Sequence, residues 1–244
     1  MQPYVFRDEP QEISTRLNIG MKGAGKTSLL DFQLQAIRSS RRRAGGRLIL
    51  VDPTTDDFHF KNFGRIVETP TSFINVFGDR PPEMFSLRVI TKDPKFFDVV
   101  CLAAMRLKDC FLLCDEVWHF CPTKAGTQMD PPHFNELVTE GRHSLVRFVG
   151  TCQRPSQVHN NLLHLADELN VFRTKDVRLL KEELEGREHL RKVRYLPTYH
   201  FFSCTNARPP FLASINGRRK TNQNPGNPLS SDRRGTREAK KISA

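Results

Sequence analysis

Residues 20–27 read Gly20-Met21-Lys22-Gly23-Ala24-Gly25-Lys26-Thr27, a complete G-x-x-x-x-G-K-[ST] phosphate-binding loop. The stretch before it, Ile13-Ser14-Thr15-Arg16-Leu17-Asn18-Ile19, alternates apolar and polar residues like a short strand. The stretch after it places Leu30, Leu34 and Ile37 on one face of a helix over Ser28–Ile37. Strand, glycine-rich loop and helix in that order are the context that separates a working P-loop from a chance match. The glycines let the backbone turn its N–H groups toward a phosphate, and the helix N-terminus adds a favourable dipole. Gly20, Met21, Lys22, Gly23, Ala24, Gly25, Lys26, Thr27 and Ser28 are therefore the expected nucleotide-binding set. Within it, Lys26 suits the β- and γ-phosphates, and the Thr27 hydroxyl suits a Mg²⁺ ion.

Composition bounds the rest. The 244 residues suffice for one α/β domain with some decoration. No run approaches the roughly 18 apolar residues of a membrane span, and the N-terminus lacks a signal-peptide pattern, so a cytoplasm is the expected setting. None of the six cysteines falls in a C-x-x-C pair, and Cys110, Cys114 and Cys152 lie in apolar runs. Buried thiols are expected in preference to a zinc site or a disulfide framework. The formal net charge is +11, and residues 217–244 hold eight basic side chains against two acidic ones. That segment has almost nothing to bury, so it reads as a disordered basic tail, with the ATPase domain confined to 1–216. Such a tail either holds a polyanion or is simply solvated. The run Arg41-Arg42-Arg43 has the same two readings: contact with a nucleic-acid backbone, or a helix end matched to its dipole.

Further strands are expected at Arg47–Val51, Arg65–Val67, Phe85–Ile90, Cys110–Cys114, Leu145–Thr151 and Asn170–Arg173. Helices are expected near Ser72–Phe77, over Pro94–Leu107 and Pro132–Glu140, after Pro155 and over Asp176–Lys192. Tyr199–Cys204 and Pro210–Ile215 read as a closing hairpin. Alternating strands and helices imply a mainly parallel sheet covered on both faces. The run Cys110-Phe111-Leu112-Leu113-Cys114 shows no alternation, the signature of a central strand, and it ends in Asp115-Glu116. A carboxylate at such a strand tip holds Mg²⁺ through water, and a second beside it can deprotonate an attacking water. Asp115 is the expected metal residue and Glu116 the expected base. The next strand ends in Thr151-Cys152-Gln153-Arg154-Pro155, where Gln153 either senses the γ-phosphate or merely ends a strand. Trp118 and His119 read as packed aromatics or as a lining of the site.

The ordered set of Gly20–Thr27, Asp52-Pro53, Leu112-Leu113-Cys114-Asp115-Glu116, Glu140-Gly141-Arg142-His143 and Thr151-Cys152-Gln153-Arg154-Pro155 resembles the HerA/FtsK superfamily of DNA-pumping ATPases. Its small size and basic tail resemble the genome-packaging ATPases of tailless viruses with an internal membrane. The resemblance implies a RecA-like P-loop core, ATP and Mg²⁺, and Gln153 as sensor. It also implies a homo-hexameric ring in which Arg142 reaches the nucleotide of the next subunit, with Arg147 and Arg173 as alternatives. The implied partners are double-stranded viral DNA and docking proteins at a capsid vertex or viral membrane. The implied place is the host cytoplasm or the packaging vertex of the virion. Four other functions compete: a phage assembly ATPase of the filamentous-phage kind, a plasmid or cellular DNA pump, a P-loop kinase or switch, and a structural virion component that binds DNA through the tail without hydrolysing ATP. The Asp-Glu pair disfavours the kinase, and the intact motifs disfavour the structural component.

Overall fold

The apolar run Cys110–Cys114 lies in the middle of a sheet and is buried along its whole length. The structure, a computed structural model, describes residues 2–6, 14–41, 46–54, 59–77, 82–122, 131–181, 184, 187–205 and 208–215. The basic tail over 217–244 lies outside the described residues. Among the described residues, ten strands form one sheet: β1 (Gln2–Pro3), β2 (Thr15–Ile19), β3 (Arg47–Asp52), β4 (Arg65–Val67), β5 (Phe85–Ile90), β6 (Cys110–Cys114), β7 (Arg147–Cys152), β8 (Glu168–Phe172), β9 (His200–Thr205) and β10 (Arg208–Ser214). Their spatial order is β1-β10-β9-β8-β2-β7-β6-β3-β5-β4. From β8 to β4 every pairing is parallel, while β9 runs antiparallel to both β8 and β10. The helices are α1 (Lys26–Arg41), α2 (Pro70–Phe77), α3 (Pro94–Leu107), α4 (Pro132–Glu140), α5 (Asn160–His164) and α6 (Arg187–Val193). No helix among the described residues is long and apolar enough to cross a membrane.

Period-two alternation explains how central strands with near-continuous apolar sequence serve two cores. Leu48, Leu50, Phe111, Leu113 and Val149 face α1 and pack with its Leu30, Leu34 and Ile37. Ile49, Val51, Cys110, Leu112, Cys114 and Phe148 face the other way, onto Phe97, Val100, Cys101 and Ala104 of α3 and Phe134 and Leu137 of α4. Phe97 stacks on Phe120 with ring centroids 4.3 Å apart and meets Phe134 at 5.1 Å. Asp93 caps α3 by accepting from the Lys95 N–H at 2.9 Å, and Pro94 occupies the first turn, where its missing N–H costs nothing. All six cysteines are buried.

Two of the expected helices are corrected, whereas β2 forms within the stretch its alternation predicts, with all five of its residues buried. Its polar residues are paired inside: Arg16 with Glu168 at 3.0 Å, and Asn18 with Gln33 at 2.8 Å and Asn170 at 3.1 Å. The Tyr4 hydroxyl completes this network by donating to Glu168 at 2.8 Å. The long helix expected over Asp176–Lys192 is instead a single 3-10 turn at Arg178–Leu180 and the short α6. Val177, Leu180, Leu184 and Val193 are buried, so packing onto the domain overrides the helical pattern, and Gly186 weakens it. The expected helix after Pro155 likewise divides into a 3-10 turn at Pro155–Gln157 and α5.

Candidate active site

Parallel pairing of β2, β7 and β6 carries three strand ends to one edge of the sheet. Ile19 is level with Cys152, and Cys114 with Gly150, so the P-loop, Gln153 and the Asp115-Glu116 pair emerge side by side. The loop is fastened on both flanks: Gly20 N–H donates to the Cys152 carbonyl at 3.1 Å, and Met21 N–H to the Arg173 carbonyl at 2.9 Å. A Cβ on Gly20 would stand 2.5 Å from that of Phe172, so only glycine permits this approach to β8. Gly23 lies at the turn of the loop, with Lys22 exposed beside it. Ala24 is buried against Phe172 and Phe201. Lys26 opens α1, and Thr27 and Ser28 follow it in the first turn.

The Lys26 ammonium is buried, 3.5 Å from the Met21 carbonyl and 3.7 Å from Glu116 Oε1. The same Glu116 oxygen accepts from the Gln153 amide at 3.3 Å, and the other carboxylate oxygen accepts from the Trp118 indole N–H at 2.9 Å. A cation, an amide and an indole thus converge on the residue expected to be the base. Glu116 is held at φ +51°, in the left-handed region, by its N–H donating to the Thr151 hydroxyl at 2.8 Å. That hydroxyl in turn donates to Asp115 Oδ1 at 2.6 Å, so one side chain positions both acids. Burial pushes the Asp115 carboxyl up to about 6, and the nearby charges of Glu116 and Asp52 push the same way against the Thr151 hydrogen bond and Lys26. Asp52 itself is buried and paired with Arg88 at 2.9 Å. Burial, helped by Lys92, lowers the His119 pKa, and the His119 ring stacks on Trp118 at 3.9 Å.

Gln153, Glu116, Asp115 and Lys26 are therefore brought together as the motifs predict. Arg142 is not with them. It follows α4 and donates to Asp167 and, at 3.3 Å, to the Ser14 hydroxyl, at the opposite edge of the sheet where β2 and β8 begin. Its side chain nevertheless remains 56% exposed. Arg147 is buried, paired with Asp109 and packed on the Phe111 ring at 4.2 Å. Arg173 follows β8, and its carbonyl accepts from Met21 of the P-loop. Thr151 is the contributor that motif reasoning passes over, its one signal being a hydroxyl two residues before Gln153, while Trp118, read as packed aromatic or site lining, does reach the site through Glu116.

The family model described as zonular occludens toxin (Zot) matches residues 14–189. No curated protein sequence matches the chain. Among solved structures, the chain is similar to the genome packaging NTPase B204 from Sulfolobus turreted icosahedral virus 2 in complex with ATP-gammaS. That likeness has a TM-score of 0.68 at 18% identity and covers 85% of this chain and 98% of that one. The bacterial conjugative coupling protein TrwB is similar with a TM-score of 0.57 at 14% identity, covering 85% of each chain. The cytoplasmic domain of the Thermomonospora curvata type VII secretion ATPase EccC has a TM-score of 0.55 at 13% identity, covering 84% of this chain and 24% of that one. At these identities the likenesses establish a RecA-like P-loop fold.

Proposed function

Because this chain belongs to the zonular occludens toxin (Zot) family, a family of P-loop ATPases, we propose that it is an ATP-driven translocase that pumps double-stranded DNA into a preformed viral capsid. The observation that carries the reading is the convergence of Lys26, Gln153 and Trp118 on Glu116. That geometry suits hydrolysis gated by the nucleotide. A bound γ-phosphate competes with Glu116 for Lys26. The carboxylate, still oriented by Trp118, then takes the proton of the attacking water. Gln153, which touches Glu116 directly, relays the presence or loss of the γ-phosphate to β7.

The donor set fits magnesium: the Thr27 hydroxyl and the Asp115 carboxylate are hard oxygen ligands, and a cation relieves the buried negative charge at Asp115. Thr27 and Asp115 would hold the ion, which would supply charge neutralisation at the phosphates. Among the described residues no group of three or more His, Cys, Asp or Glu could hold a metal ion. That suits an ion whose remaining ligands are phosphate and water.

The translocase reading is supported by the near-complete overlap with a viral packaging NTPase of similar extent and by the excess of positive charge over 217–244. It entails a homo-hexameric ring, a basic tail that holds DNA, docking proteins at the capsid vertex or viral membrane, and a place in the host cytoplasm or at that vertex. Arg142 is the proposed trans-acting arginine, and it would have to leave Asp167 to act. The competing reading is a phage assembly ATPase. The two separate on DNA. Purified protein should hydrolyse ATP several-fold faster with double-stranded DNA present, and Glu116→Gln should lower turnover at least about 100-fold. Unchanged turnover in Glu116→Gln removes the base assignment. Hydrolysis indifferent to DNA favours the assembly reading.

A further inference from the structure

Tyr199 stands on the flank of the P-loop away from the acids, in the connection from α6 to β9. Its φ is +67°, a left-handed conformation that tyrosine rarely takes. Two backbone hydrogen bonds fix it there. Its N–H donates to the Ala24 carbonyl inside the P-loop at 2.9 Å, and its carbonyl accepts from Ile215 at 3.1 Å. The ring lies against the loop: a Cβ at Gly25 would come within 2.8 Å of its Cδ1 atom. Gly25, at φ +112°, is thus required by its own backbone and by the tyrosine above it. Yet Tyr199 is 42% exposed, so core packing does not account for the strain.

The direction of the nucleotide gives this ring a use. Glu116 and Gln153 lie toward β6 and β7, and Lys26 leans toward them. A triphosphate whose γ-end meets that group runs back along the loop, and its nucleoside leaves on the opposite flank. That flank is formed by the end of β8 and the start of β9, where Phe172 is level with Phe201 and Tyr199 immediately precedes β9.

We propose that the Tyr199 ring is the platform on which the nucleobase stacks. The proposal rests on reading residues 20–28 as a nucleoside triphosphate site, and adds the subsite for the base. Stacking on one aromatic ring strengthens binding by about tenfold and accepts any base, because every base has a π-face. The platform therefore adds affinity without selecting adenine over guanine.

The test compares ATP, GTP and inorganic tripolyphosphate, each with magnesium, by calorimetry on the full chain. The proteins are wild type, Tyr199→Phe and Tyr199→Asn. Asparagine tolerates the left-handed backbone, so the bonds to Ala24 and Ile215 persist without the ring. Tyr199→Asn should weaken ATP and GTP alike, by about tenfold, and leave tripolyphosphate within twofold. Tyr199→Phe should match wild type. Equal weakening of all three ligands makes Tyr199 a prop for the loop and overturns the proposal, as does no weakening of ATP. If the wild type binds tripolyphosphate and ATP normally in that event, the triphosphate site stands and only the platform falls. A wild type that binds none of the three removes the site and the platform together.

Discussion

The two edges of the sheet are built on opposite terms. At the edge where β2 and β8 begin, Asp167 is buried and fully used: it accepts from Ser14 N–H at 2.8 Å, Thr15 N–H at 2.9 Å and the Ser14 hydroxyl at 2.9 Å, and pairs with Arg142. At the edge where β2, β6 and β7 end, polar groups are buried with fewer or longer contacts. Among the described residues the partners of Lys26 lie at 3.5 and 3.7 Å, burial raises the Asp115 pKa, and Glu116 and Tyr199 sit at positive φ. One edge spends its polar groups on stability. The other holds them in readiness for charge that arrives with a ligand, which is why local strain and perturbed ionisation gather there.

Breaking the stable edge should give the largest effect on folding. Asp167→Ala leaves two buried backbone N–H groups without their acceptor and Arg142 without its partner. The expected loss is about 3–4 kcal/mol of unfolding free energy, read from urea denaturation. Turnover per folded molecule should stay within about twofold, because nothing at that edge touches the P-loop. A parallel collapse of turnover would mean that the edges are not separable, whereas a rise would strengthen the case for Arg142, which must leave Asp167 to act.

Relaxing the functional edge should do the reverse. The folded-state pKa of Asp115, about 6, lies above its ordinary value of 3.8, so the folded protein binds the extra proton between those two values. Stability from this group is therefore greatest at low pH, declines as pH rises from about 4 to about 6, and stays lowered above that. Asp115→Asn removes the buried charge. In magnesium-free buffer at pH 7.5 the variant should be more stable than wild type by about 2 kcal/mol, while its ATP hydrolysis is lost. The gain should vanish near pH 4. A gain that persists at pH 4 would assign the effect to packing instead of charge.

How far the sequence discloses this contrast depends on how local each part is. Gly20–Thr27 and Asp115-Glu116 were legible because each motif performs its role with adjacent residues, and the strand–loop–helix context was readable from apolar spacing. The boundaries of α3, α4, β5 and β6 follow expectation for the same reason: capping by Asp93, Pro at the first helical turn, and an unbroken apolar run. What escaped was set by long-range juxtaposition. The burial of Arg16 and Asn18 went unread because nothing local says that Glu168 and Asn170 will lie beside them. The 176–192 segment read as one helix because its periodicity is that of residues packing on a surface formed elsewhere. Thr151 came beside Asp115 and Glu116 only when β6 and β7 paired.

Trp118 offers the finest probe of the functional edge. Its indole N–H is the shortest of the contacts to the Glu116 carboxylate, 2.9 Å against 3.3 Å for Gln153 and 3.7 Å for Lys26. It holds the oxygen that those two leave alone. Trp118→Phe keeps an aromatic next to His119 and deletes only the donor. A hydrogen bond to a charged group contributes about 1.5–3 kcal/mol, but here it orients the base and does not bind the transition state directly, so about 1 kcal/mol, or roughly fivefold in kcat, is expected. KM for ATP should not move, since the hydrogen bond removed goes to Glu116 and not to the phosphate loop. Combining Trp118→Phe with Gln153→Ala sharpens the point. If both side chains act through the orientation of one carboxylate, the double variant should lose less than the product of the two single losses. Strict multiplicativity would mean that Gln153 acts on the nucleotide itself, independently of the base it touches.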